Sequence, residues 1–202
     1  RHVSHHYDVW PGRAITPEKT PELVQPFILS NRKRGHQDDS AHGVIHRYFT
    51  AVRLGDLPDA MHNFRTLMEH GYVTRTLNTV HYPYRVFCGD LLGAMPAMLL
   101  ELLVYSDEGL IKLLPAVPDD LSKGSVKGVW LYTIAKIESM EWDMKAGKAD
   151  AEISSLEDQE IHYLFPVGYR KVFVDGKLYA ENGKEFNLEM KKGTTAVISF
   201  EF

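Results

Sequence analysis

The chain has 202 residues, 44% apolar and 25% charged, a composition that can bury a core without covalent staples. Its net charge of −4 and isoelectric point near 6.2 give no electrostatic pull toward nucleic acid or an anionic membrane. No apolar run reaches the roughly 18 residues of a membrane span, and the single cysteine, Cys88, excludes an internal disulfide and argues against a zinc–thiolate site.

The first segment, Arg1-His2-Val3-Ser4-His5-His6-Tyr7 followed by Trp10-Pro11-Gly12-Arg13, is rich in residue types that hold sugars by hydrogen bonding and ring stacking. Its bland alternative is a surface loop, or histidines satisfied inside a core. A metal is not expected, because no carboxylate or thiol accompanies the histidines at a ligand spacing, and no cofactor is expected either. Opening on Arg1 rather than Met, the chain reads as a fragment or a processed product.

Helical periodicity follows, and it predicts four helices at about 17–34, 40–54, 57–70 and 92–105. Thr16-Pro17 and Thr20-Pro21 offer N-caps followed by proline, Asp38-Asp39-Ser40 reads as capping, and Gly35 and Gly71 sit where C-terminal glycines belong. Val44, Ile45, Tyr48, Phe49 and Val52 form one apolar stripe, and Met61, Phe64, Leu67 and Met68 a second. A third comprises Met95, Met98, Leu99, Leu102 and Leu103. His42 and His46, four apart, share a helix face and either line a cleft or pack as polar residues. Asp90, just before the predicted fourth helix, suits either a cap or a general base.

At about residue 107 the chain changes character: nine of the ten histidines lie before this point and only His162 after it. Leu110–Leu114, Val129–Ile134, Lys136–Trp142 and Thr195–Phe202 read as strands. Asp175-Gly176 between apolar runs is a hairpin signal. The fold class expected is therefore α+β, with helices in residues 1–106 and an antiparallel β-sandwich in 107–202.

Several motifs resemble glycoside hydrolase family 95, which contains α-L-fucosidases and α-L-galactosidases. They are Arg1-His2-Val3-Ser4-His5-His6-Tyr7, Thr20-Pro21-Glu22-Leu23, Arg53-Leu54-Gly55-Asp56 and His81-Tyr82-Pro83-Tyr84. Leu113-Leu114-Pro115-Ala116-Val117-Pro118, Gly124–Val129 and Met140-Glu141-Trp142-Asp143 follow in the same order. The resemblance implies the last helices of an (α/α)6 barrel followed by a β-sandwich, in an enzyme that inverts configuration with a protonated glutamate and an aspartate base. Asp90 has the family's spacing to Glu101 and takes the role of base by that resemblance. His2, His5, Tyr7, His42 and His81 are the candidate sugar contacts. The chain departs from the family at Leu91-Leu92-Gly93, where an asparagine and an aromatic are usual, and at His42, where tryptophan is common.

No segment matches the family's general acid, so the chain by itself is expected to be inactive on glycosides. The implied partners are an oligosaccharide or glycoconjugate and either a missing barrel segment or a second copy covering the helix stripes; periplasmic or secreted location follows by analogy only. Two rival readings remain: a degenerate enzyme, and a carbohydrate-binding or scaffolding module. The second would need exposed aromatics on one sheet face, either Trp130 and Tyr132 or Tyr163 and Phe165.

Overall fold

The computed structural model describes residues 3–34 and 40–202, which form two compact units, Arg1–Glu101 and Leu102–Phe202. Gly35, Asp38 and Asp39, read above as punctuation, and the candidate contact His2 lie outside the described residues.

In the first unit, helices α1 (Pro21–Arg34), α2 (Ala41–Arg53) and α3 (Leu57–Glu69) precede a small hairpin, β1 (Val80–Tyr82) and β2 (Arg85–Phe87). Helix α4 (Gly89–Leu103) follows it. The local chemistry at each start is visible. Thr16 does not begin a helix; its hydroxyl accepts from the Lys19 amide at 3.1 Å in a turn, and the helix waits for Thr20-Pro21. Ser40 caps α2 by accepting from Gly43 N at 3.2 Å. Asp56 caps α3 through the Asp59 amide, with Pro58 in the first turn.

Helix α2 is the centre of this unit. Val44, Ile45, Tyr48, Phe49 and Val52 are all buried, as their helical spacing requires. The Tyr48 hydroxyl donates to the Met98 carbonyl of α4 at 2.6 Å, and burial together with the nearby Glu101 charge raises its pKa.

The second unit is not the antiparallel sandwich expected. It is one mixed eight-stranded sheet. Its strands are β3 (Val104–Asp107), β4 (Leu110–Leu113), β5 (Lys123–Leu131), β6 (Ala135–Asp143), β7 (Lys148–Ser155), β8 (Gln159–Val174), β9 (Lys177–Met190) and β10 (Thr195–Glu201). The order is β3-β4-β8-β10-β7-β6-β5, with β9 on β8. The β4–β8 pair is parallel, with Ile111 opposite Tyr163, and the other pairs are antiparallel. The sheet curls until β3 approaches β5, where the Tyr132 amide donates to Ser106 Oγ at 2.7 Å, so it is nearly a closed barrel.

Two features let β8 serve different neighbours along its length. Its first half pairs with β4 and its second half with β10, and the register slips between Leu164 and Tyr169. Pro166, which has no N–H to give a ladder, sits in that slip. The predicted hairpin at Asp175-Gly176 forms, and positive φ at both residues (51° and 75°) gives the primed turn that matches strand twist.

Alternation builds the core: along β7, Ala149, Ala151 and Ile153 point inward while Lys148, Asp150 and Glu152 point out. The small alanines leave room for aromatic pairs, Phe165 on Phe200 at 4.4 Å and Tyr163 on Phe186 at 5.1 Å. Tyr163 and Phe165 are thus core residues rather than a sugar-facing surface.

Candidate functional site

The opening segment makes a short 3-10 turn at Ser4–His6. The two histidines of the turn divide their roles. His6 is buried, and burial together with the charges of His5 and Arg34 lowers its pKa to about 4, so it is neutral at pH 7. His5 is exposed, and both rings reach Ser30 Oγ of α1, at 3.1 and 3.0 Å. Tyr7 projects into solvent. Sequence reasoning singled out His2 and His5; the more constrained histidine is His6, and its place midway between the apolar Val3 and Val9, a spacing of three that suits a 3-10 turn, was the available signal.

His42 stands beside His46, ring centroids 4.4 Å apart. His46 meets the edge of Trp10 at 4.7 Å, and Trp10 stacks on Phe49 at 4.5 Å. Thus α2 carries His42 to the same aromatic cluster as the opening loop, and His42 is a partly accessible flank of that cluster.

His81 and Asp90 converge elsewhere in the unit, on Cys88. The buried sulfur lies 4.0 Å from His81 Nδ1 and 3.8 Å from Asp90 Oδ2, within reach of weak thiol hydrogen bonds. The stretch is fastened by Thr79, whose hydroxyl donates to the Cys88 carbonyl at 2.6 Å while its carbonyl accepts the Cys88 amide at 2.9 Å. Asp90 does not precede α4 but lies in its first turn, exposed, where the N-terminal amides favour a negative charge.

Three other carboxylates of the unit, Asp56, Asp59 and Glu101, are committed. Asp56 receives both Arg32 donors at 2.6 Å. Asp59 accepts from Asn31 at 2.9 Å, and burial raises its pKa. Glu101 is held by Arg53, with Nη2 at 2.6 Å. Arg53 also donates to the carbonyls of Val9 and Gly12, at 3.1 and 2.8 Å, so it ties the opening loop, α2 and α4 together. The Asn31–Arg32–Asp56–Asp59 network escaped the sequence reading, although the Asp56/Asp59 spacing at a helix start hinted at it.

No family model matches this chain. It is 31% identical over 142 residues to alpha-L-fucosidase 2 of Arabidopsis thaliana, a match that covers 64% of this chain and 16% of that protein's length. Among solved structures it is similar to a family 127 β-L-arabinofuranosidase from Geobacillus stearothermophilus T6, at 10% identity and a TM-score of 0.38. That match covers 82% of this chain and 32% of the other. The chain is a distant, partial homologue of alpha-L-fucosidase 2.

Proposed function

We propose that this chain is the C-terminal part of an inverting glycoside hydrolase for α-L-fucoside or α-L-galactoside bonds, with Asp90 as general base. In this reading the four helices complete an (α/α)6 barrel, and chain outside these 202 residues supplies the general acid. The observation that carries it is the availability of Asp90. Asp56, Asp59 and Glu101 are locked to Arg32, Asn31 and Arg53, whereas Asp90 is exposed, meets the soft Cys88 thiol at 3.8 Å, and has His81 within 4.0 Å of the same sulfur. A base must reach a water molecule, and inversion requires that water to fit between carboxyls roughly 6.5–9.5 Å apart.

Cys88, in the same reading, fixes the rotamer of Asp90 by donating its S–H. His81 is a sugar contact, and His5, Tyr7 and His42 belong to the flank built on Trp10. Export to the periplasm or the exterior would accompany a substrate found outside the cell, and fractionation of the natural host tests it.

The decisive experiment is Asp90→Asn in the complete enzyme, assayed on aryl α-L-fucoside and α-L-galactoside. Loss of a general base lowers kcat by about 10²–10⁴-fold, and the thermal unfolding of the variant should match the parent. Unchanged kcat would remove Asp90 from the chemistry. Turnover by the 202-residue chain alone would remove the missing-acid reading.

A further inference from the structure

The second unit carries an aromatic surface that the hydrolase reading does not use. Trp130 near the end of β5 and Tyr132 in the turn that follows it are 67% and 60% exposed, while Leu131 between them packs against the core. Opposite Trp130 on β6 is Lys136, whose ammonium lies 5.6 Å from the indole centroid. Lys136 is pinned by Glu138 at 2.5 Å, and Glu138 accepts from Ser154 on β7 at 2.7 Å. These two donors hold the Glu138 carboxyl below its ordinary range, so it stays an acceptor.

Tyr132 is also one wall of a recess of about 430 Å³ that includes Thr133, Ile134, Gln159, Glu108 and Glu160. The recess is built rather than loose. Thr133 Oγ1 donates to Gln159 Oε1 at 2.9 Å and accepts the Gly109 amide at 3.0 Å, while Gln159 Nε2 donates to Thr133 O at 2.8 Å. Ring faces beside fixed acceptors suit the apolar C–H face and the hydroxyls of a pyranose. The carboxylates in the lining, with no Lys or Arg among its residues, oppose an anionic ligand.

We infer that the Trp130–Tyr132 surface of the sheet unit is an accessory binding site for neutral oligosaccharides, in which the two rings stack on sugar and the recess accepts its hydroxyls. This site is separate from Asp90 and does not depend on that residue's role. It would keep the protein on a glycan rather than cleave it.

The test is titration of the 202-residue chain with cellotetraose, 2′-fucosyllactose and tri-galacturonate, followed by calorimetry and tryptophan fluorescence. At least one neutral probe should bind and tri-galacturonate should not. Trp130→Ala and Tyr132→Ala should each weaken binding about tenfold or more, Trp130→Phe should retain most of it, and far-UV circular dichroism should be unchanged in all three. Asp90→Asn should bind like the parent even if it abolishes hydrolysis, which separates this site from the catalytic proposal. Absence of binding to every neutral probe, or undiminished binding by both alanine variants, would overturn the inference. So would a dimer of the parent chain that Trp130→Ala converts to monomer in sedimentation, since the surface would then be an interface between copies.

Discussion

Arg53 offers the sharpest test of how the helical unit is held. Its side chain and that of Glu101 are only 6% and 16% exposed, and the guanidinium also serves the Val9 and Gly12 carbonyls. Arg53→Met keeps most of the apolar stem but strands a carboxylate and two carbonyls at once. Breaking a buried ion pair by removing one partner costs about 3–5 kcal/mol. Because water still reaches part of Glu101, the low end, about 3 kcal/mol, is the appropriate figure. For a chain of this length that corresponds to a fall in Tm of roughly 6–12 °C. Urea unfolding followed at 222 nm, with Arg53→Met, Glu101→Gln and the double variant, completes a cycle. The double variant should be less damaged than the sum of the two single changes, because Glu101→Gln removes the stranded charge. Additive losses, or a loss below about 1 kcal/mol for Arg53→Met, would refute the claim that this pair ties the opening loop to α4.

Two further outcomes follow from burial. His6 has a folded pKa near 4 against an ordinary 6.5, so its native state resists a proton that the unfolded chain accepts. Its contribution is therefore complete above pH 6.5 and lost progressively as pH falls to about 4. The loss, discounted for solvent screening, is about 2 kcal/mol, and the urea midpoint of His6→Gln should depend less on pH across that window; equal dependence would contradict it. Gly147 has φ +66°, and a Cβ there would lie 2.3 Å from the Phe202 carbonyl oxygen. Gly147→Ala should cost about 1–3 kcal/mol by combined backbone strain and steric displacement, and an unchanged melting temperature would show that the β6–β7 turn yields freely.

Much of the helical layout was legible because period and punctuation agree. The second and third helices end within a residue of expectation, each fixed by a short polar cap that sequence displays directly. The first helix begins later than expected because two Thr-Pro pairs compete and Thr16 spends its hydroxyl on a turn. The fourth begins earlier, at Gly89, which moves Asp90 from a flanking cap into the first turn. The Asp175-Gly176 hairpin was readable because its turn chemistry is local. The sheet's mixed pairing was not. Ile111 and Tyr163 are 52 residues apart, and a strand buried in a parallel pair shows the same apolar pattern as one buried in an antiparallel pair.

The candidate site was legible only in part, for a related reason. Residues that stand out in a motif can serve the scaffold rather than the chemistry, and in this unit several of them do. Arg53 and Asp56 of the Arg-Leu-Gly-Asp segment hold Glu101 and Arg32 in ion pairs, and both side chains are nearly buried. The positions where the sequence departs from the resemblance, Leu91-Leu92-Gly93 and His42, lie beside Asp90 and beside the Trp10 cluster, and of these Leu91 is itself a fully buried core residue whose role is packing.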